Sequence, residues 1–167
     1  MSRYRSNPEA IRALVRADEV HRDVYTDPEL FEIEQEHLWR NAWIYLGHDS
    51  QVPKSGDFYS TQIAGRPLFM LRGTDGVVRV LYNRCAHKGA KLINAVAGNV
   101  GPMLRCPYHG WTYRTDGTVR TIPLRSGYDG TNFAQCRAAG GIEPVVNVEN
   151  YRGFIFIRLA SSGLGFK

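Results

Sequence analysis

The sequence predicts a mainly β domain of small antiparallel sheets set behind N-terminal helices. Three observations predict it. Helix-start signals and helical apolar spacing are confined to the stretch before residue 42. From residue 42 onward, short apolar runs alternate with period two. Glycine-containing turns separate those runs. At 167 residues and 43% hydrophobic content, the chain is long enough for one domain with a real core.

The elements follow in order. Asn7-Pro8-Glu9 supplies a cap, a proline at the first helical position and a favourable carboxylate; Ile11, Leu14 and Val15 follow at helical spacing. Asp27-Pro28-Glu29 repeats the signal, and Leu30, Phe31, Glu34, His37, Leu38 and Trp39 continue a second amphipathic helix. His21 is expected in a loop and His37 on a helix surface. Strands are expected at 42–47, 57–63, 67–72, 77–82, 111–115, 118–122, 144–149 and 153–159. Thr74-Asp75-Gly76 and Thr115-Asp116-Gly117 mark hairpins. Residues 123–143, rich in Gly, Arg and Asn, read as a long irregular crossing. The expected organisation is a helical lead-in over 1–41, the β domain over 42–160 and a linker over 161–167.

Two runs carry the chemistry: Cys85-Ala86-His87 and Cys106-Pro107-Tyr108-His109-Gly110-Trp111. Each offers one thiolate and one imidazole at a spacing that suits a tight loop. With only three cysteines, Cys85, Cys106 and Cys136, the chain cannot supply the four thiolates of an ordinary two-iron cluster. Two Cys and two His are the ligand set of a Rieske-type [2Fe–2S] centre, one residue type per iron. Neutral imidazoles in place of thiolates remove negative charge and raise the reduction potential. Residues 88–105 separate the hooks, enough for a loop, a short strand and a return. The same four residues are also a tetrahedral zinc set, although zinc hooks usually pair Cys with Cys and His with His.

The Cys-Ala-His-Lys-Gly and Cys-Pro-Tyr-His-Gly-Trp-Thr-Tyr runs resemble those of the large (alpha) subunits of Rieske non-haem iron ring-hydroxylating oxygenases. The likeness extends over Tyr25–Glu34 and Trp43–His48 upstream and Tyr151–Ile157 downstream, roughly residues 20 to 160. It implies the Rieske [2Fe–2S] fold, with two cluster-binding loops at one tip. Cys85, His87, Cys106 and His109 are then both the cofactor-binding and the metal-binding residues, and the chain holds no catalytic residue of its own. Tyr113 is implied as a hydrogen-bond donor to a cluster or cysteine sulfur; otherwise it and Trp111 are core aromatics. Pro107 would stiffen the second loop, and Gly89 and Gly110 would let backbone N–H groups approach the sulfurs. The disulfide cysteines of respiratory Rieske proteins have no counterpart, since Ala90 and Gly110 stand near those positions. That places the resemblance in the lower-potential class and leaves Cys136 as a packed or idle thiol.

The family's mononuclear Fe(II) site, which needs two His and a carboxylate with open positions, has no counterpart among His21, His37 and His48. The expectation is therefore an electron-relay portion of a terminal oxygenase, with the catalytic domain and its Fe(II) absent from this chain. The resemblance implies a ferredoxin or a flavin/iron–sulfur reductase as donor. It also implies neighbouring alpha subunits in a trimer, with or without a small beta subunit. Its substrate would be aromatic, with an aromatic carboxylate such as a benzoate or salicylate favoured. A free-standing Rieske ferredoxin and a zinc-stabilised binding module stay open. No run approaches the ~20 apolar residues of a membrane span, and no apolar signal segment opens the chain, so a cytoplasmic location is expected. The net charge of +5 is scattered, which argues against nucleic acid. Arg84, Lys88, Lys91 and Arg105 flank the hooks, either as solvated surface or as a positive collar that steers an acidic donor.

Overall fold

The computed structural model describes residues 2–166. Both helix-start signals act as expected. The Asn7 side chain caps α1 (Pro8–Arg12) through Ala10 N–H, and Asp27 caps α3 (Pro28–Glu34) through the N–H groups of Glu29 and Leu30. A single turn, α2 (Asp23–Thr26), precedes α3. The second amphipathic helix is shorter than expected. After Glu34 it widens into a π turn over Gln35–Trp39, and Phe31, Leu38 and Trp39 stay exposed while Leu30 is buried. Only Tyr4, Leu14 and Leu30 form a small core there. His21 and His37 are both exposed, as expected.

Three carboxylates tie down the start of the lead-in: Asp23 accepts from Arg3 and Tyr4, Glu36 from Arg5, and Glu29 from the most donors. Glu29 accepts the Ser2 hydroxyl and the backbone N–H groups of Arg3 (2.9 Å), Tyr4 (3.2 Å) and Arg5 (3.0 Å). Those donors hold its pKa down to about 2, the Ser2 hydroxyl contributing most.

Ten strands follow: β1 (Ile44–His48), β2 (Asp57–Ile63), β3 (Arg66–Arg72), β4 (Val78–Tyr82), β5 (Ala97–Asn99), β6 (Met103–Arg105), β7 (Thr112–Arg114), β8 (Val119–Thr121), β9 (Asn147–Tyr151) and β10 (Phe154–Arg158). They form three antiparallel sheets, ordered β1-β10-β9, β4-β3-β2-β5 and β6-β7-β8. Strand β3 explains the layering. Its Leu68–Leu71 run is fully buried on both faces. Leu68 and Met70 join Val80, Leu46, Ile155 and Ile157 in one core, while Phe69 and Leu71 join Leu81, Leu104 and Tyr113 in the other. Alternation along a strand puts successive side chains on opposite faces. Each buried side chain here contributes roughly 1.5–3 kcal/mol.

Two short strands replace the one allowed between the hooks. Residues 97–99, Ala-Gly-Asn, have little strand preference, yet β5 pairs with β2 because the Phe58 ring packs where a Gly98 side chain would stand. Strand β9 starts three residues later than expected. Glu143 and Val145 instead bond to the edge of β4, through Tyr82 N–H and Val80 C=O. The crossing over 123–143 is irregular as expected, built of short helical turns. Residues 160–166 lie along the first sheet: Trp43 Nε1 donates to Leu164 C=O at 2.9 Å, and Phe166 packs on Trp43 and Phe156.

Asn83, buried between β4 and the first hook, holds the returning arm. Its Oδ1 accepts from Leu92 N–H (3.0 Å) and Ile93 N–H (2.9 Å), and its Nδ2 donates to Ile93 C=O (2.7 Å). Asn83→Ala leaves three buried backbone groups unpaired and is expected to cost about 2–4 kcal/mol, read from urea unfolding. The Glu29 contacts give a second prediction. A depressed carboxylate pKa contributes stability above the ordinary value of 4.5 that is lost as pH falls towards about 2. The segment over residues 2–5 is therefore expected to undock on acidification, seen as faster amide exchange at Arg3–Arg5. At neutral pH, Glu29→Gln should raise tryptic cleavage after Arg5 without loss of the β core.

Candidate metal centre

Both hooks close in the same way. In the first, Gly89 N–H donates to Cys85 C=O (2.9 Å) and Cys85 N–H to Ala90 C=O (2.8 Å). In the second, Gly110 N–H donates to Cys106 C=O (3.1 Å) and Cys106 N–H to Trp111 C=O (2.8 Å). The glycines sit at φ +76° and +71°, where other residues are strained. A side chain at Gly89 would also meet the Arg84 guanidinium. This refines the sequence expectation: the glycine N–H groups serve the cysteine carbonyls, and it is the His87 N–H that faces the Cys85 sulfur.

The first hook follows β4; the second caps the β6–β7 hairpin. Their meeting sorts the four side chains by type. Cys85 and Cys106 are both buried, in the same core cluster, and after burial itself Cys106 is among the groups that push the Cys85 thiol up. The rings of His87 and His109 meet edge to face, centroids 4.8 Å apart. Among the described residues, no three His, Cys, Asp or Glu side chains converge on a single ion position. A two-iron core of the Rieske type takes a thiolate pair and an imidazole pair, and the two buried cysteines and the two facing histidine rings are the candidates for them.

The surroundings suit that core. The Tyr113 hydroxyl lies 3.0 Å from Cys85 Sγ and accepts Ala86 N–H at 3.2 Å, so its own hydrogen is free for the sulfur. Tyr113 is fully buried, and burial, then Cys85, pushes its phenol well above the ordinary value, keeping it a donor. Burial likewise pushes the Cys85 thiol up, against the pull of Tyr113 and the His87 N–H. A buried thiolate therefore calls for metal charge beside it. Burial, His109 and Lys88 push the His87 pKa down, which favours the neutral, ligating imidazole.

Aromatic rings fix the imidazoles. Trp111 is buried and stacks on His87, centroids 5.0 Å apart and planes within 5°. Tyr128 and Phe133, from the irregular crossing, pack edge-on against Trp111. Trp111 is thus a core aromatic, as expected, and also a platform for His87. Tyr108, exposed, stacks on the exposed His109 at 3.7 Å. Sequence reasoning missed Asn83, Tyr108 and Phe133. Tyr108 was legible as the aromatic next to His109; Asn83 and Phe133 carry no local signal. Arg84, Lys88, Lys91 and Arg105 are all exposed near the hooks, and Cys136 is an exposed rather than a packed thiol. His48 serves structure, capping the turn at Asp49–Gln51.

Comparison with known proteins agrees with the geometry. Residues 42–145 match the Rieske [2Fe–2S] domain family. The chain is 34% identical over 152 residues to toluate 1,2-dioxygenase subunit alpha of Pseudomonas putida, covering 87% of this chain and 33% of the relative. It is 34% identical over 140 residues to the anthranilate 1,2-dioxygenase large subunit of Acinetobacter baylyi, covering 84% and 29%. Among solved structures, naphthalene 1,2-dioxygenase from Rhodococcus sp. aligns with a TM-score of 0.76 at 31% identity, over 86% of this chain and 32% of that one. A quaternary ammonium Rieske monooxygenase bound to L-carnitine aligns at 0.75 and 28%, over 86% and 39%. The chain spans about a third of the length of these curated relatives. Its match over residues 42–145, together with its fold, makes it a member of the Rieske [2Fe–2S] domain family.

Proposed function

We propose that this chain is the electron-relay portion of the oxygenase component of an aromatic ring-hydroxylating system. It would take electrons from a ferredoxin or reductase and pass them to a mononuclear Fe(II) site carried elsewhere in the assembly. The observation that carries this reading is the burial of Cys85 and Cys106 in one core cluster while the His87 and His109 rings meet edge to face. Cys85 and Cys106 would hold one iron and His87 and His109 the other. The [2Fe–2S] group, when bound, supplies one-electron redox chemistry. Tyr113 donates a hydrogen bond to the Cys85 sulfur, which favours added negative charge there. Trp111 fixes the His87 ring.

Likeness to oxygenase subunits favours this reading over a free-standing ferredoxin. Neighbouring alpha subunits in a trimer, with or without a beta subunit, belong to the proposal, as does a cytoplasmic setting. Among the described residues no helix is long and apolar enough to cross a membrane. For substrate we favour an aromatic carboxylate, in keeping with the toluate and anthranilate names of two relatives. The gene past Lys167 is expected to encode two His and one carboxylate at ligand spacing; a stop codon there would sink the oxygenase reading.

Protein assembled with iron and sulfide is expected to be coloured and, after dithionite, to give an EPR signal of a one-electron-reduced cluster. Cys85→Ser and Cys106→Ser should each abolish it. A colourless protein that binds one zinc would refute the assignment. Tyr113→Phe removes one hydrogen bond to sulfur and is expected to lower the midpoint potential by about 40 mV, the one-electron equivalent of about 1 kcal/mol. An unshifted potential would return Tyr113 to a purely structural role.

A further inference from the structure

Arg40, Arg66 and Arg84 come from three separate parts of the chain: the end of the helical lead-in, the start of β3 and the residue before the first hook. They line one cleft of about 510 Å³. Past Tyr82, Arg84 and Glu143 the cleft runs into a second hollow of about 370 Å³ along Cys85–Gly89, where Lys88 stands. Both carboxylates in the cleft are already matched, Glu36 by Arg5 at 2.5 Å and Glu143 by Arg137. Among the described residues, the side chains of Arg40, Arg66, Arg84 and Lys88 have no acidic partner. Tyr82 registers the convergence. Burial and Glu143 push its phenol up while Arg66, Arg40 and Arg137 pull the other way.

Unpaired positive charges gathered in a hollow repel one another, and a need for solubility alone would scatter them. In a concave site with low-dielectric walls the same charges focus their field and accelerate the approach of an anionic partner. The hollow at the second hook gathers no such charge: Arg105 is the one arginine or lysine among its lining residues, beside Cys106, Pro107, Tyr108, His109 and Pro123. A free phosphate would fill only one corner of the two joined hollows, whereas acidic side chains on a convex protein surface would occupy both.

We propose that this arginine cleft is the docking site for an acidic redox protein, which it seats beside the first hook. The proposal rests on the electron-relay reading above and adds where the donor lands and which charge it carries. One electron leaves the donor's reduced iron–sulfur or flavin centre and enters the centre held by the hooks; no bond forms or breaks. The sequence-level collar is thereby resolved. Arg84 and Lys88 belong to the dock, joined by Arg40 and Arg66 from distant positions, while Arg105 lines the separate hollow at the second hook.

The test is stopped-flow reduction of the cluster-loaded chain by a reduced, acidic plant-type [2Fe–2S] ferredoxin, with the methyl viologen radical cation as a second donor. In low salt, the Arg40→Glu/Arg66→Glu variant is expected to be reduced by ferredoxin about tenfold or more slowly than the parent. The gap should close in about 0.5 M salt, where the Debye length is a few ångströms. The viologen rate should not fall. Arg152→Glu, at the far β9–β10 turn, should leave the ferredoxin rate within about twofold, since one distant charge is largely screened. An unchanged ferredoxin rate in the double variant, or an equal loss in Arg152→Glu, would overturn the dock while the cluster spectrum stands. Absence of that spectrum would overturn the relay reading itself.

Discussion

Two short loops, each carrying one thiol and one imidazole, must deliver like to like, and the rest of the structure serves that constraint. The sequence cannot separate the types by position, because each hook is mixed. Separation is achieved in three dimensions by giving both loops the same closure. Each cysteine N–H bonds five residues on, and each glycine four residues on bonds back to the cysteine carbonyl. With both cysteines held in the same local frame, both thiols lie in one buried cluster, while the two imidazole rings meet edge to face. A change of conformation at Gly89 or Gly110 would therefore disturb ligand type as well as ligand distance.

Burial then makes the centre an all-or-none site. An apolar interior opposes a bare thiolate, so Cys85 without metal rests as a neutral thiol. With ferric charge beside it the same low dielectric strengthens the attraction. The Tyr113 hydroxyl and the His87 N–H act on the same sulfur in the same sense, each stabilising negative charge. On the other side the push on His87 comes from burial, His109 and Lys88, and it favours the neutral ring. The nitrogen end is thus biased towards its ligating form, whereas the sulfur end would reach its own only with metal charge to offset burial.

Features that depend on few neighbouring residues were legible in the sequence. The two caps, the two Asp-Gly hairpins, the alternating runs and the hooks are all local patterns with their own energetics. Features that depend on a distant surface were not. Strand β5 exists because β2 has a free edge and Gly98 admits the Phe58 ring, which no property of Ala-Gly-Asn announces. Asn83 reads as an ordinary polar residue until Leu92 and Ile93 return to it. The crossing over 123–143 has no period, yet it supplies the Tyr128 and Phe133 rings that brace Trp111. The late start of β9 follows from the same cause, since the open edge of β4 captures Glu143 and Val145 first.

A site that performs oxygen chemistry at a metal needs open coordination positions. Here the four candidate ligands come as two complete pairs, and the other histidines are occupied or remote. His48 caps a turn, His21 lies beside Asp23 and His37 is on the exposed π turn. What the structure provides instead is rigidity. Strand β3 is buried on both faces, the hooks are closed by backbone hydrogen bonds, and the His87 ring is backed by Trp111 and the aromatics behind it. A group that only gains and loses an electron benefits from surroundings that do not rearrange as the charge changes, because preorganised dipoles need no reorganisation at the moment of transfer. Stiff and buried at its thiol end, the site would suit a group that changes charge without changing shape.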